Sequence, residues 1–181
     1  MALRKASSYS KMKARPYTRH SRIKNKAYIK TIPQNKIVKF SMGSQKDYVQ
    51  DKHSFVVRLL AEEDVQIRDT ALEASRMFLV KVLDSTAPGQ YFMMLKVHPH
   101  HFLRENKSAA AVAGADRIST GMTQSFGVII GRAALVKSGQ EIFFISCANE
   151  KSARIAKDAL ASVKAKIPCA TKVIFEKLPV V

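Results

Sequence analysis

Tryptophan is absent from this sequence of 181 residues, and cysteine occurs only twice. Cys147 and Cys169 form no CxxC pair and have no histidine at zinc-finger spacing, so neither a disulfide framework nor a zinc finger is indicated. We interpret both as neutral thiols in a reducing compartment. No apolar run approaches the length of a membrane span, and no secretory apolar segment follows Met1. We therefore expect a soluble, intracellular protein without a membrane partner.

Motifs of the common catalytic classes are missing as well. The sequence has no GxxxxGK[ST], GxSxG or HExxH motif, and no GxGxxG motif follows a predicted strand. The histidines of the HPHH segment at residues 98–101 have no acidic or cysteine ligand pattern beside them. No feature of the sequence pairs His98 or His101 with Cys147 as base and nucleophile. We predict no catalytic residue, no metal and no cofactor.

Acidic residues are missing from the first quarter of the chain. Residues 1–46 contain thirteen Lys or Arg and no Asp or Glu, and the first acid is Asp47. The remainder carries eighteen bases and fourteen acids. Most of the net charge of +17 therefore lies in the N-terminal segment. Because such a charge would repel itself in a compact monomer, we expect a polyanionic partner.

Residues 1–36 have the character of an extended basic arm. They show neither helical nor strand periodicity, and Pro16 and Pro33 interrupt them. Cations release condensed counterions from phosphate, and the interleaved Tyr9, Tyr17 and Tyr28 can stack on unpaired bases. The candidate RNA-binding residues of the arm are Arg4, Lys5, Lys11, Lys13, Arg15, Tyr17, Arg19, Arg22, Lys24, Lys26 and Lys30.

Two other readings of the arm stay open. The first is a solvated tail with no specific partner, since charge alone specifies no target. The second is a mitochondrial transit peptide, which the sequence disfavours. Lys outnumbers Arg nine to four in residues 1–46, and residues 4–22 carry no clear apolar stripe.

Residues 37–181 have the pattern of one globular α+β domain. Apolar, β-branched and aromatic runs predict strands near residues 37–40, 54–60, 91–97 and 171–175. Two further runs, residues 126–136 and 141–148, are joined by a turn-like KSGQ and predict a β-hairpin. Between the strands, residues 98–124 lose core character and predict a long loop. A short Ala-rich surface helix within that stretch is the alternative.

Two helices are predicted. The first runs from about residue 64 to 84, where Glu62, Glu63 and Asp64 supply negative charge at its N-terminus. Its apolar face comprises Val65, Leu72, Leu79, Val82 and Leu83.

The second predicted helix begins after Asn149 as N-cap and ends before Pro168. One face is apolar, with Ala153, Ala156, Leu160, Val163 and Ile167 at helical spacing. The opposite face is basic and carries Lys151, Arg154, Lys157 and Lys164. Of these, Lys151 and Arg154 are candidate RNA contacts. Together the elements predict helices packed on a mostly antiparallel sheet.

Three segments resemble the hallmark motifs of the ribosomal protein ten-e family, the archaeal and eukaryotic branch of the universal family whose bacterial member is large-subunit protein sixteen. They are IVKFSMG at residues 37–43, HPHHFLRENK at 98–107 and AGADRISTGM at 113–122. The resemblance covers about residues 17–175. The sequence departs from the family at residues 108–113, and the segment from Arg4 to Lys13 is also less typical.

This resemblance implies an α/β hammerhead-type α+β fold in a structural constituent of the large ribosomal subunit. The implied partners are large-subunit ribosomal RNA, tRNA and neighbouring ribosomal proteins, in cytoplasmic ribosomes. It further implies that residues 102–117 form a mobile loop near tRNA, with candidate contacts Arg104, Asn106, Lys107 and Arg117. We expect deletion of that loop to impair tRNA positioning while leaving the fold intact. The rival hypotheses are a free-standing RNA chaperone or nucleic-acid-binding protein, and an RNA-modifying enzyme.

Overall fold

The computed structural model describes residues 9–11, 18, 21–105 and 127–178, in which short groups of strands are separated by helices. Within these residues there are eight strands: β1 (Ser41–Gly43), β2 (Phe55–Ala61), β3 (Val65–Arg68), β4 (Tyr91–Leu95), β5 (His101–Glu105), β6 (Val128–Val136), β7 (Glu141–Cys147) and β8 (Thr171–Lys177). The same residues contain three α-helices: α1 (Gln45–Val49), α2 (Asp69–Thr86) and α3 (Glu150–Val163). Short 3-10 helices span Lys24–Lys26 and Lys164–Lys166.

The strands form two antiparallel sheets. One has five strands in the order β1-β4-β7-β2-β8, and the other has three in the order β3-β6-β5. Every strand pair is antiparallel. The α+β class predicted from the sequence, with two long helices packed on mostly antiparallel strands, is therefore confirmed. The described strands are divided between two sheets rather than joined in one.

The main core lies between the five-stranded sheet and helices α2 and α3. Leu72, Leu79 and Leu83 of α2 are fully buried, and their spacings of seven and four residues place them on one face of the helix. They pack in one cluster with the inward side chains of the sheet, including Phe143 and Ile145. Burial of each such side chain stabilises the folded state by roughly 2 kcal/mol.

The opposite face of the five-stranded sheet is partly covered by α1. Tyr48 stacks on Phe92, with 4.8 Å between ring centroids, and contacts Phe144 edge-on. His53 follows α1 and is buried, with its Nδ1 atom 2.8 Å from the hydroxyl oxygen of Ser146. Burial lowers the pKa of His53, against a smaller opposing effect of Asp47. This imidazole therefore stays neutral at pH values where an exposed histidine begins to take up a proton.

The predicted helix from residue 64 to 84 is partly wrong, because its first five residues are not helical. Residues 65–68 form strand β3, and α2 begins at Asp69. The spacing of seven residues between Val65 and Leu72 fits one helix face, but the alternation of Val65 with Ile67 also fits a strand. Both side chains are buried in the main core from a strand rather than a helix.

The acidic residues 62–64 do not cap that helix. The Asp64 carboxylate accepts a hydrogen bond from the Ser138 backbone N–H at 2.8 Å, and the Ser138 hydroxyl donates to the Glu62 carbonyl oxygen. They therefore tie the β2–β3 connection to the turn at residues 137–140. The acid in the first turn of α2 is Asp69.

The predicted β-hairpin of residues 126–136 and 141–148 is wrong, although both strands exist. β6 pairs with β3 and β5, whereas β7 pairs with β2 and β4. The intervening turn is fastened to another connection, since Gly139 N–H donates to the Ala61 carbonyl and Ala61 N–H donates to the Gln140 carbonyl. The β2–β3 connection and the β6–β7 turn thus run side by side from one sheet to the other, and β6 and β7 pair with different strands.

The ends of other elements also differ from the predictions. β1 begins at Ser41 rather than near residue 37. Before it, the Phe40 carbonyl oxygen accepts a hydrogen bond from the N–H of Leu95, the last residue of β4, at 2.7 Å. The start of the predicted 98–124 loop contains strand β5. The rest of that loop from residue 106, including its Ala-rich alternative, lies outside the described residues. The second helix is confirmed as α3, which ends at Val163, ahead of Pro168.

Candidate nucleic-acid interface

Part of the predicted arm packs on the three-stranded sheet. The Ser10 carbonyl accepts a hydrogen bond from Gln66 N–H of β3, and Lys11 forms an isolated antiparallel bridge with Val65. Tyr9 is only 8% exposed and packs with Leu103 and other apolar residues of that sheet. Lys11 itself is exposed, so its ammonium group faces solvent.

Tyr9 does not offer its ring for base stacking, contrary to the prediction from the sequence. The Arg68 guanidinium lies over the ring at 4.0 Å from its centroid. The Tyr9 hydroxyl donates a hydrogen bond to the Glu105 carboxylate at the end of β5. Tyr9 therefore contacts both β3, through Arg68 over its ring, and β5, through Glu105 at its hydroxyl group.

The segment of residues 21–36 combines buried apolar anchors with exposed cations. Ala27 and Ile29 are buried at 5% and 2% exposure, which fastens the segment to the body. Between and around them, three cations predicted to bind RNA are exposed: Arg22, Lys26 and Lys30. Lys30 reaches back to the Asn25 carbonyl oxygen at 3.0 Å. The backbone of Lys24 lies in the 3-10 helix beside them.

The same segment carries uncovered apolar surface. Of the nine large apolar side chains that are exposed among the described residues, four lie between residues 23 and 38: Ile23, Tyr28, Ile32 and Val38. Apolar and cationic groups side by side suit a partner with phosphates and with flat or apolar surfaces, such as RNA bases and riboses.

Arg104 connects this segment to β5. Its Nη1 atom donates to the Tyr28 hydroxyl at 2.9 Å, and its guanidinium carbon lies 4.3 Å from the centre of the Tyr28 ring. Arg104 was predicted as a contact of the 102–117 loop, and it lies in the strand from which that stretch departs. The other predicted loop contacts, Asn106, Lys107 and Arg117, lie outside the described residues, as do Arg4, Lys5, Lys13, Arg15, Tyr17 and Arg19.

The predicted basic face of α3 carries both signs of charge. Lys151 and Arg154 are exposed, and Arg154 pairs with Glu150 one turn earlier, with 2.6 Å between Nη2 and Oε1. Asp158 is exposed on the same helix. Because such an exposed pair is worth at most about 1 kcal/mol, Arg154 can exchange Glu150 for a phosphate at little cost. Lys151 and Arg154 lie on a different element from Arg22, Lys26 and Lys30.

The structure also assembles a cationic cluster that sequence reasoning missed. Lys36, Arg68 and Arg132 line one cavity beside the first turn of α2. Arg132 Nε donates to the Pro33 carbonyl at 2.8 Å, which links β6 to the segment before Lys36. Nearly one hundred residues separate Lys36 from Arg132, so no local pattern could reveal the cluster.

One carboxylate faces these cations. Asp69 is 4% exposed and accepts hydrogen bonds from the backbone N–H groups of Lys36 and Thr70, at 3.2 and 2.9 Å. Burial raises the pKa of Asp69, and these hydrogen bonds and the nearby cations oppose that rise. The cluster therefore keeps an excess of positive charge.

The histidines and cysteines show no catalytic arrangement in the described part of the chain. His98 stacks on Phe40 with 5.1 Å between ring centroids, and His100 lies 4.3 Å from His98. Burial lowers the pKa of His98, and the neighbouring His100 and Arg132 lower it further. Among the described residues no three His, Cys, Asp or Glu side chains are grouped to hold a metal ion. Burial raises the pKa of both cysteines, Cys147 and Cys169, to about 11, so neither is a thiolate near neutral pH.

Within the described residues, no helix has both the length and the apolar character needed to cross a membrane. The fold and the charges define a basic α+β protein with cation-rich surface segments that suit a polyanion. The family model for ribosomal protein L16p/L10e matches residues 12–174. The chain belongs to this family, so it is a ribosomal protein and a structural component rather than an enzyme.

Archaeal relatives are similar along almost the whole chain, and each is named large ribosomal subunit protein uL16. The protein from Methanococcus maripaludis is 42% identical over 98% of this chain and 96% of its own length. That from Staphylothermus marinus is 41% identical over the same shares. The one from Pyrobaculum calidifontis is 40% identical over 97% of this chain and 95% of its own length.

Proposed function

We propose that this protein is a structural constituent of the large ribosomal subunit that binds large-subunit ribosomal RNA beside the tRNA sites and helps to position tRNA. Its place of action is the cytoplasmic ribosome, and its other partners are neighbouring large-subunit proteins. The observation that carries the proposal is the acid-free, cation-rich N-terminal segment of a chain that belongs to a ribosomal protein family. Phosphates of RNA would neutralise this charge and release their condensed counterions, which favours binding.

In this proposal, residues 1–36 supply most of the RNA contacts, and the domain of residues 37–181 supplies the others. In the arm, Arg22, Lys26 and Lys30 support the proposal most strongly because they are exposed on a segment whose apolar anchors are buried. The further proposed RNA contacts are Arg4, Lys5, Lys11, Lys13, Arg15, Tyr17, Arg19, Lys24, Lys151 and Arg154. Each contributes modestly, and together they fix the protein on converging RNA helices.

The proposed role at the tRNA sites belongs to the stretch that follows β5. Its candidate contacts are Arg104, Asn106, Lys107 and Arg117. These side chains would steady the tRNA near the catalytic RNA by hydrogen bonds and charge, without acting as an acid or a base. Phe102 and Leu103 are both 5% exposed, so a deletion starting at residue 102 would remove buried residues of β5. The deletion that tests this role must therefore begin after Glu105.

Cosedimentation with large subunits tests the proposed function. If assembly is specific, the full-length protein should stay with large subunits in gradients of high salt concentration. Non-specific phosphate binding falls by roughly 10³ to 10⁵ between low and moderate salt when six to ten contacts are involved. Release of the protein at high salt, with binding to any RNA at low salt, would instead support a free-standing RNA chaperone.

Replacing residues 106–117 by a short Gly-Ser linker tests the tRNA role. We expect the shortened protein to enter large subunits while tRNA accommodation slows or late subunit maturation stalls. Normal translation by subunits that carry the shortened protein would refute the role. Measuring the melting temperature of the shortened protein controls for damage to β5.

A further inference from the structure

A cavity of about 270 Å³ lies between residues 33–36, the first turn of α2 and strand β6. It exists because β3 ends early. The last β3–β6 pair joins Arg68 to Ala133, so residues 128–132 of β6 have no partner on β3. Across this gap, the Arg132 side chain holds residue 33 by a hydrogen bond to its carbonyl oxygen. This hydrogen bond holds residue 33 beside β6 at the cavity.

The floor of the cavity is apolar and kept open by a glycine. Pro33, Leu103 and Ile130 contribute apolar side chains to the wall. A Cβ atom added to Gly131 would meet no heavy atom within 4 Å, so this position faces open space. An apolar wall beside open space suits the face of a flat ring.

The rim of the cavity is cationic. Arg132 uses only its Nε atom in a hydrogen bond to the described residues, and Lys36 makes no side-chain hydrogen bond to them. Arg68, which packs on the Tyr9 ring, also lines the cavity. The only acid in the described wall is Asp69, and both of its oxygen atoms already accept backbone N–H groups. The N-terminus of α2 adds its own partial positive charge.

We propose that this cavity binds one unpaired nucleotide of RNA, with the base against Pro33, Leu103 and Gly131 and its phosphate against Lys36 and Arg132. Proteins that recognise single-stranded RNA bind splayed-out bases between flat or apolar groups and hold the backbone with cations. A phosphate ion alone would leave the apolar floor exposed. The inference rests on the proposed function and adds a specific pocket to it.

Mononucleotide binding by the full-length protein, followed by NMR, tests the pocket. The two probes are adenosine 5′-monophosphate and ribose 5-phosphate, which differ by the base alone. We expect the first to shift the amide signals of Leu103, Ile130 and Gly131 saturably. Ribose 5-phosphate should bind at least about fivefold more weakly, the lower end of what stacking a base contributes.

Two variants localise the effect. Gly131→Leu fills the cavity and should abolish the saturable shifts at the wall. Lys36→Gln should weaken adenosine monophosphate binding severalfold, whereas Lys39→Gln, an exposed cation outside the cavity wall, should leave it unchanged. Melting temperatures show which variants are folded, and the lysine pair tests the pocket even if Gly131→Leu unfolds.

Three results would overturn the inference. They are equal affinity for both probes, unchanged nucleotide binding by folded Gly131→Leu, and equal effects of the two lysine substitutions. Cosedimentation of the unmodified protein with large subunits is measured in parallel. If the protein stays with subunits at high salt but binds no mononucleotide in the cavity, this inference fails and the proposed function stands. If it leaves the subunits, the proposed function fails.

Discussion

Gly43 offers the sharpest test of how the five-stranded sheet is built. Its φ angle is +86°, and an added Cβ atom would lie 2.3 Å from the Tyr91 carbonyl oxygen. That oxygen cannot easily move away, because it accepts the Ser44 N–H at 2.9 Å and Tyr91 is 1% exposed. Gly43→Ala therefore forces either the backbone of β1 or that of β4 to shift.

The expected magnitude has two parts. A side chain in left-handed backbone costs about 1–2 kcal/mol, and overpacking a tight contact costs about 1–3 kcal/mol. Together they should lower the free energy of unfolding by about 2–5 kcal/mol. Gly89→Ala is the matched control, since Gly89 has a φ of +72° but no heavy atom within 4 Å of its Cβ position. It should lose only about 1 kcal/mol.

Urea denaturation followed by circular dichroism measures both variants. Gly43→Ala should lose at least about 1 kcal/mol more unfolding free energy than Gly89→Ala, which is the lower end of the overpacking cost. Equal midpoints and slopes for the two variants would refute it. Such a result would mean that β1 does not approach Tyr91 as closely as the structure describes.

Three further predictions concern the buried histidine, the docked segment and the exposed cations. Because burial lowers the folded-state pKa of His53, stability should fall as pH drops below about 6.5, where only the unfolded chain gains a proton. Thermal melts of His53→Asn should show a weaker loss at acidic pH, and an unchanged pH profile would contradict this. Tyr9→Ala should increase amide exchange at residues 65–68 by releasing the segment at residues 9–11, whereas Tyr28→Ala should leave that strand protected. Three exposed cations are replaced together with Gln: Arg22, Lys26 and Lys30. The slope of log affinity for ribosomal RNA against log salt concentration should become shallower by about 2–3. An unchanged slope would show that these residues do not contact the RNA.

The local residue pattern was enough to predict elements whose structure depends mainly on residues close in sequence. Helix α3 has buried apolar residues on one face from Ala153 to Val163 and a proline beyond its end, so its position follows from spacing alone. Strand β3 has four residues, and Val65 also fits the face of the helix that follows. With so few residues, strand and helix periodicity cannot be told apart.

Longer-range pairing was not readable from the sequence. The turn at residues 137–140 has the composition of a hairpin, yet its bonds to Asp64 and Ala61 send the flanking strands to different sheets. Tyr9 likewise is an aromatic residue in a basic segment, as base-stacking residues often are. Its contacts in the fold are with Arg68 and Glu105, which lie far along the chain. The sequence alone therefore predicts the charge of the proposed interface, while tertiary contacts decide which aromatic rings remain exposed.

A structure of the large ribosomal subunit that contains this protein is the most direct test of the central claim. We expect Arg22, Lys26 and Lys30 to lie within hydrogen-bonding distance of ribosomal RNA phosphates, and the exposed Ile23 and Ile32 to be covered by RNA. Finding these cations turned toward solvent or toward another protein, with no RNA near the segment, would contradict it.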